Sequence, residues 1–200
     1  PYGSRGLIDC DCLQRKCEQS GKQRQQTQYG YGNRQFENTD SLFLKKRRVI
    51  DKGNTEVVAE YIKEMTGADV FRIMPDKEYE KIQDYDELVE LTRIEHENDE
   101  RPTFNGKIND IGKYDTIFIG SPIWWYTFPQ VMYTFLDSYD LNGKTIIPFT
   151  THEGSGLADV VEVLRKYYPN ATVAEGLAIR GRDAVKSKEK VVRWLEKTGF

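Results

Sequence analysis

Apolar and polar positions fall into a regular alternation of periods only after about residue 53. Val57, Val58, Tyr61, Ile62 and Met65 recur at helical spacing behind Asn54-Thr55-Glu56, a polar start suited to an N-cap, and Gly67 stands where such a helix would stop. Val70-Phe71-Arg72-Ile73-Met74 then predicts a strand closed by Pro75. Residues 78–100 are charged throughout with thin apolar spacing (Tyr79, Ile82, Tyr85, Leu88, Val89), which predicts an interrupted surface helix. Thr116-Ile117-Phe118-Ile119-Gly120 is continuously apolar, as a central strand covered on both faces should be. An aromatic loop over 121–129 leads into a helix through Val131, Phe135 and Leu136. A strand over 144–150, a loop over 151–156, a helix over 157–168, a strand over 172–179 and a final helix through Val185, Val191, Val192 and Leu195 complete the pattern. Helices alternating with short apolar strands predict an α/β domain with a mainly parallel sheet.

Residues 1–38 carry no such period. They are rich in Gln, Gly, Arg and Ser, and are expected to form a tail without structure, leaving 39–200 as one domain. Of 200 residues, 38% are hydrophobic and 12% aromatic, enough for one packed core. No run of about eighteen apolar residues exists to span a bilayer, and no charged-then-apolar leader precedes the domain, so the expectation is a cytoplasmic protein without a membrane. The net charge of −3 conceals an asymmetry: residues 1–52 hold 11 basic and 6 acidic side chains, net +5, and the remainder 18 and 26, net −8. The basic residues are scattered without periodic aromatics, which disfavours nucleic acid. The acidic body suits redox partners with basic docking surfaces. Cys10, Cys12 and Cys17 all precede residue 18, an odd set that argues against a disulfide framework and reads as unpaired thiols rather than a metal site.

Three short segments have the composition of a ligand site. Gly53-Asn54-Thr55 opens the first helix, where backbone N–H groups and the helix dipole suit a monophosphate, although the same residues alone read as an ordinary N-cap. Ser121-Pro122-Ile123-Trp124-Trp125 follows the central strand, at the carboxyl edge where open parallel sheets bind ligands. One of the adjacent tryptophans can pack inward while the other offers a flat face; a wholly core or partner-binding role stands equally open. Thr151-His152-Glu153-Gly154-Ser155-Gly156 joins hydroxyls to glycines that let backbone approach a flat ligand. His152 and Glu153 form an acid–base pair without a nucleophile, and Ser155 lacks the full G-x-S-x-G elbow, so hydrolysis is disfavoured.

These blocks, extended through Glu56-Val57-Val58-Ala59, Tyr114 to Gly120 and Gly143 to Thr150, resemble a bacterial branch of the flavodoxin-like family over about three quarters of the chain. The resemblance implies a three-layer sandwich with a parallel five-stranded sheet in the order 2-1-3-4-5 and one FMN at the edge of its first and third strands. It further implies that Gly53, Asn54 and Thr55 hold the phosphate, that Ser121, Pro122, Ile123, Trp124 and Trp125 flank ribityl and ring, and that Thr151, His152, Glu153, Gly154, Ser155 and Gly156 cover the far ring edge. Such a protein is an electron carrier. Two rivals remain: an FMN-dependent NAD(P)H:quinone-type oxidoreductase on the same scaffold, and an interaction module without cofactor.

One family feature is missing. An apolar first strand ending near Tyr-Phe-Ser should precede the phosphate loop, and Asn38-Thr39-Asp40-Ser41-Leu42-Phe43-Leu44-Lys45 stands there instead. With codons chosen to suit, a shift of one nucleotide across this stretch reads Ile-Leu-Ile-Ala-Tyr-Phe-Ser, which would make the preceding residues out-of-frame text. As written, the first strand is expected to be degraded, with Ser41-Leu42-Phe43-Leu44 a poor substitute and Asp40 an unwelcome charge in the core. Arg47 and Arg48, just before Gly53, read as a solvated loop or as phosphate contacts.

Overall fold

The centre of the sheet is built from the first residues of the chain. In the computed structural model, which describes residues 3–10, 52–82 and 84–200, Arg5–Cys10 forms strand β1. It lies parallel to β2 (Asp69–Pro75) on one side and to β4 (Thr116–Pro122) on the other, with Leu7 opposite Val70 and Phe118. This corrects the sequence expectation of a tail without structure over 1–38, since residues 5–10 supply the strand between β2 and β4. The 38–45 stretch, Arg47, Arg48, Cys12 and Cys17 lie outside the described residues, and Cys10 is a fully buried core side chain.

β1 is short for a central strand, and neighbours on both sides make it one. Leu7 packs with α1 (Asn54–Thr66) and α5 (Lys188–Thr198), while Ile8 and Cys10 pack on the opposite face with α3 (Gln130–Ser138) and α4 (Val160–Tyr167). Burial on both faces removes the polar alternation by which a strand is usually recognised. Its N-terminal end is tied down as well: Ser4 C=O accepts from Asp115 N–H at 3.0 Å, and Arg5 reaches Thr66 C=O at 3.2 Å with its guanidinium 4.5 Å from the Phe200 ring centre. Asp9 is the exception in this apolar setting, fully buried with Arg72 Nε 4.0 Å from its carboxylate.

The sheet runs β3-β2-β1-β4-β5-β6, with β7 also paired to β5; β5 is Thr145–His152, β6 Thr172–Val173 and β7 Leu177–Arg180. All ladders are parallel except the two-residue edge strand β3 (Phe104–Asn105), antiparallel to β2 and absent from the sequence reading. Numbered as the resemblance numbers them, the parallel strands follow 2-1-3-4-5, a flavodoxin-like three-layer sandwich. The fifth strand is split because of Pro148. Ile146 C=O accepts from Ala174 N–H at 2.9 Å, so Pro148, two residues on, turns toward the same neighbour without an N–H to offer. Pairing resumes at Phe149 opposite Leu177.

Helices begin and end where local chemistry says they should. α1 starts at Asn54 and ends in Gly67 at φ +67°, a left-handed cap that glycine takes without steric cost. The charged stretch is broken as expected, into a short 3₁₀ turn, Tyr79–Lys81, and α2 (Tyr85–Glu97), whose N-cap Asp84 accepts from the N–H groups of Asp86 and Glu87. Val185 belongs to a 3₁₀ turn, Gly181–Lys186, rather than to α5, and is exposed.

Candidate functional site

Four segments meet beyond the carboxyl ends of β1, β4, β5 and β7. At the first, Gly53 N–H donates to Glu56 Oε2 at 3.3 Å, and Glu56 Oε1 accepts from Arg72 Nη2 at 2.6 Å, so the opening turn of α1 is braced from β2. The Thr55 hydroxyl lies 2.6 Å from that of Thr151, both buried, and this pair fastens the start of α1 to β5 across 96 residues of chain. Asn54 faces the same gap. A Cβ added to Gly181 would sit 2.6 Å from both Asn54 Nδ2 and Glu153 Oε1, so the backbone after β7 lies directly against the tips of these two side chains.

The aromatic loop rises beside Thr151, whose C=O accepts from Ile123 N–H at 3.2 Å. Trp124 and Thr127 then exchange both backbone hydrogen bonds, at 3.0 and 2.9 Å, around Trp125 at φ +52° and Tyr126 at φ +63°. That is a two-residue type I′ hairpin turn, which ordinarily carries Asn or Gly at its centre. Two bulky residues in the left-handed region cost about 1–2 kcal/mol each. What the strain maintains is display: Trp125 is 38% exposed and Tyr126 77%. Trp124 instead turns inward, edge-on to Tyr79 with ring centres 5.8 Å apart, so the two adjacent indoles do take opposite roles. The Trp125 indole N–H is held by Thr92 Oγ1 at 3.2 Å.

The third segment is less uniformly presented than the sequence suggests. Ser121, Pro122 and Thr151 lie within strands and are buried, and the Ser121 hydroxyl donates to Pro122 C=O at 2.7 Å. The loop proper begins at Glu153 and folds back where Thr150 Oγ1 donates to Gly156 C=O at 2.9 Å; Glu153 and Gly154 are exposed, Ser155 and Gly156 half-buried. His152, last in β5 and opposite Arg180, is half-buried, and its Nδ1 is buried with no hydrogen-bond partner among the described residues. Burial, with the positive charges of Arg180 and Lys190, holds its pKa below the ordinary imidazole value. The folded protein therefore resists a proton that the unfolded chain accepts, so stability is complete above about pH 6.5 and declines as pH falls below it. Thermal scans from pH 7.5 to 5.5 are expected to show this acid loss in the wild type and its reduction in His152→Gln, by no more than about 2 °C for a ring still partly in water.

Sequence reasoning missed Gly181, Tyr79 and Thr92. Gly181 was findable, since it follows a strand at the carboxyl edge; Thr92 left no local trace on a charged helix.

A flavodoxin-like class is thus defined by strand order and by the loops gathered at one edge. A profile of the family described as Flavodoxin matches residues 49–198, and the chain belongs to that family. Among solved structures, it is similar to a protein described as a flavoprotein from Bacteroides eggerthii, with 31% identity over 72% of this chain and 90% of that one and a TM-score of 0.63. Another such protein, from Bacteroides uniformis, aligns over 98% of this chain and 99% of its own at 23% identity and a TM-score of 0.69. A flavoprotein in complex with FMN from Lactobacillus acidophilus shares the fold at 20% identity, covering 68% and 90% of the two chains, with a TM-score of 0.51. No curated protein sequence matches significantly.

Proposed function

We propose that this protein binds one FMN at the carboxyl edge of its sheet and serves as an electron carrier. The observation that carries the reading is the convergence of Asn54, Trp125, His152, Glu153 and Gly181 from distant parts of the chain. The residues fit a flat phosphorylated group: the opening turn of α1 presents backbone N–H groups, His152 presents a buried nitrogen without a partner among the described residues, and Trp125 keeps a ring face exposed on a strained turn. FMN, when bound, supplies one- and two-electron redox chemistry.

In this reading the phosphate is held by backbone N–H groups of Asn54 and Thr55 at the start of α1, the Gly53 N–H being taken by Glu56 Oε2 and the side chain of Thr55 being engaged by Thr151. Trp125 offers its exposed face to the ring, and Glu153 to Gly156 cover the far edge. The relative from Lactobacillus acidophilus, in complex with FMN, supports the cofactor assignment by analogy of fold. Asp76, Asp84, Asp86 and Glu87 are exposed in the stretch after β2, where Lys77 is paired with Glu95 and Glu100 and Lys81 with Glu78, and this net acidic surface favours a redox partner with a basic docking surface. No helix among the described residues is long and apolar enough to cross a membrane.

Reconstitution decides the matter. The purified protein incubated with FMN and freed of excess is expected to show flavin absorption bands with quenched fluorescence at one FMN per chain. A colourless product would remove the assignment and leave an interaction module, whereas steady-state NADPH oxidation by the loaded protein without a separate reductase would make it an oxidoreductase.

A further inference from the structure

Resting on the FMN reading, we propose that Thr92, on α2, is a positioning residue that sets the tilt of the Trp125 ring toward the cofactor. The backbone of the hairpin turn is already committed by its two left-handed residues and by the paired hydrogen bonds of Trp124 and Thr127. Asp159 N–H adds a contact to Tyr126 C=O at 3.4 Å. The remaining freedom of Trp125 is its two side-chain torsions. The bond from its indole N–H to Thr92 Oγ1 supplies a polar tether for them.

The direction of that tether is determined. Thr92 donates its one hydroxyl proton to Val89 C=O at 3.1 Å within its own helix, so its oxygen is left to accept, and an indole N–H can only donate. Thr92 is buried, whereas Trp125 is on the surface. When the acceptor is lost, water can satisfy the indole N–H, so the fold suffers little; what goes is the preferred ring angle. Contacts between flat π-systems depend on tilt and offset, which makes angle the quantity that governs both affinity and the balance between redox states.

The test compares Thr92→Val, which keeps the shape and removes the hydroxyl, with Thr92→Ser, which keeps the hydroxyl. In the protein before FMN is added, the Trp125 indole N–H resonance, assigned by its disappearance in Trp125→Phe, is expected to move in Thr92→Val and to return in Thr92→Ser. After FMN is added, Thr92→Val is expected to weaken binding roughly threefold to tenfold, as loss of one hydrogen bond's orienting effect should, and to shift the midpoint potential, with Thr92→Ser restoring both. Equal FMN affinity and potential in wild type and Thr92→Val overturn the proposal while leaving the FMN reading intact. Failure of the wild type itself to take up FMN overturns both, and is recognised because no variant is involved.

Discussion

Replacing Leu7 by alanine is expected to destabilise the protein by about 2–5 kcal/mol, the usual cost of a cavity where a fully buried leucine stood. For a chain of this length that is a fall of about 5–15 °C in thermal midpoint. The size follows from position: Leu7 lies in the middle of the sheet between Val70 and Phe118, under α1 and α5, with no route by which solvent or a flexible neighbour could fill the space. Ser4→Ala, at an exposed side chain next to the strand, is the control and should move stability by no more than about 0.5 kcal/mol. The comparison tests the register of the fold itself. A silent Leu7→Ala would mean that residues 5–10 do not form the central strand.

Trp125→Ala is expected to weaken FMN binding by about 10- to 100-fold, since loss of one stacking aromatic face is worth about 1–3 kcal/mol in comparable flat-ligand sites. Its effect on stability should be small, because the side chain is already partly in water. Trp125→Gly separates display from strain. At φ +52° alanine remains strained while glycine does not, so the glycine variant should be the more stable of the two by about 1 kcal/mol, read as a midpoint difference of a few degrees. Both should bind FMN equally poorly by titration. Equal affinity of Trp125→Ala and wild type would show that the ring lies against another surface, with Tyr126 the next residue to examine.

Local chemistry was enough to read most of the elements. Gly67 ends α1 because a left-handed cap suits glycine, although at the other end the N-cap is Gly53, its N–H taken by Glu56, and not the Asn54 side chain; the apolar runs at 116–120 and 144–150 announce buried strands because both their faces must be covered. The three segments singled out as ligand candidates were legible because glycines, adjacent tryptophans and a polar loop stand out locally, and the structure gathers them at the carboxyl edge of the sheet. The sequence offered a split between the two tryptophans as one option beside a wholly core or partner-binding role, and did not say which would turn inward. That choice belongs to Tyr79, which receives Trp124, and to Thr92, which holds Trp125.

Long-range packing decided the remainder. Arg5–Cys10 carries two charged residues in six and no period, and it becomes the central strand because β2 and β4 flank it, α1 and α5 cover Leu7, and Arg72 lies beside Asp9. The division of the last strand comes from a proline in its neighbour, and Gly181 comes to lie against Asn54, far from it in sequence. Sequence by itself determined most of the helices and strands after residue 53, because those preferences act over a few residues. Only the tertiary structure decided which strand sits at the centre and which side chains face the site, because those outcomes depend on partners that the chain brings together from a hundred residues away.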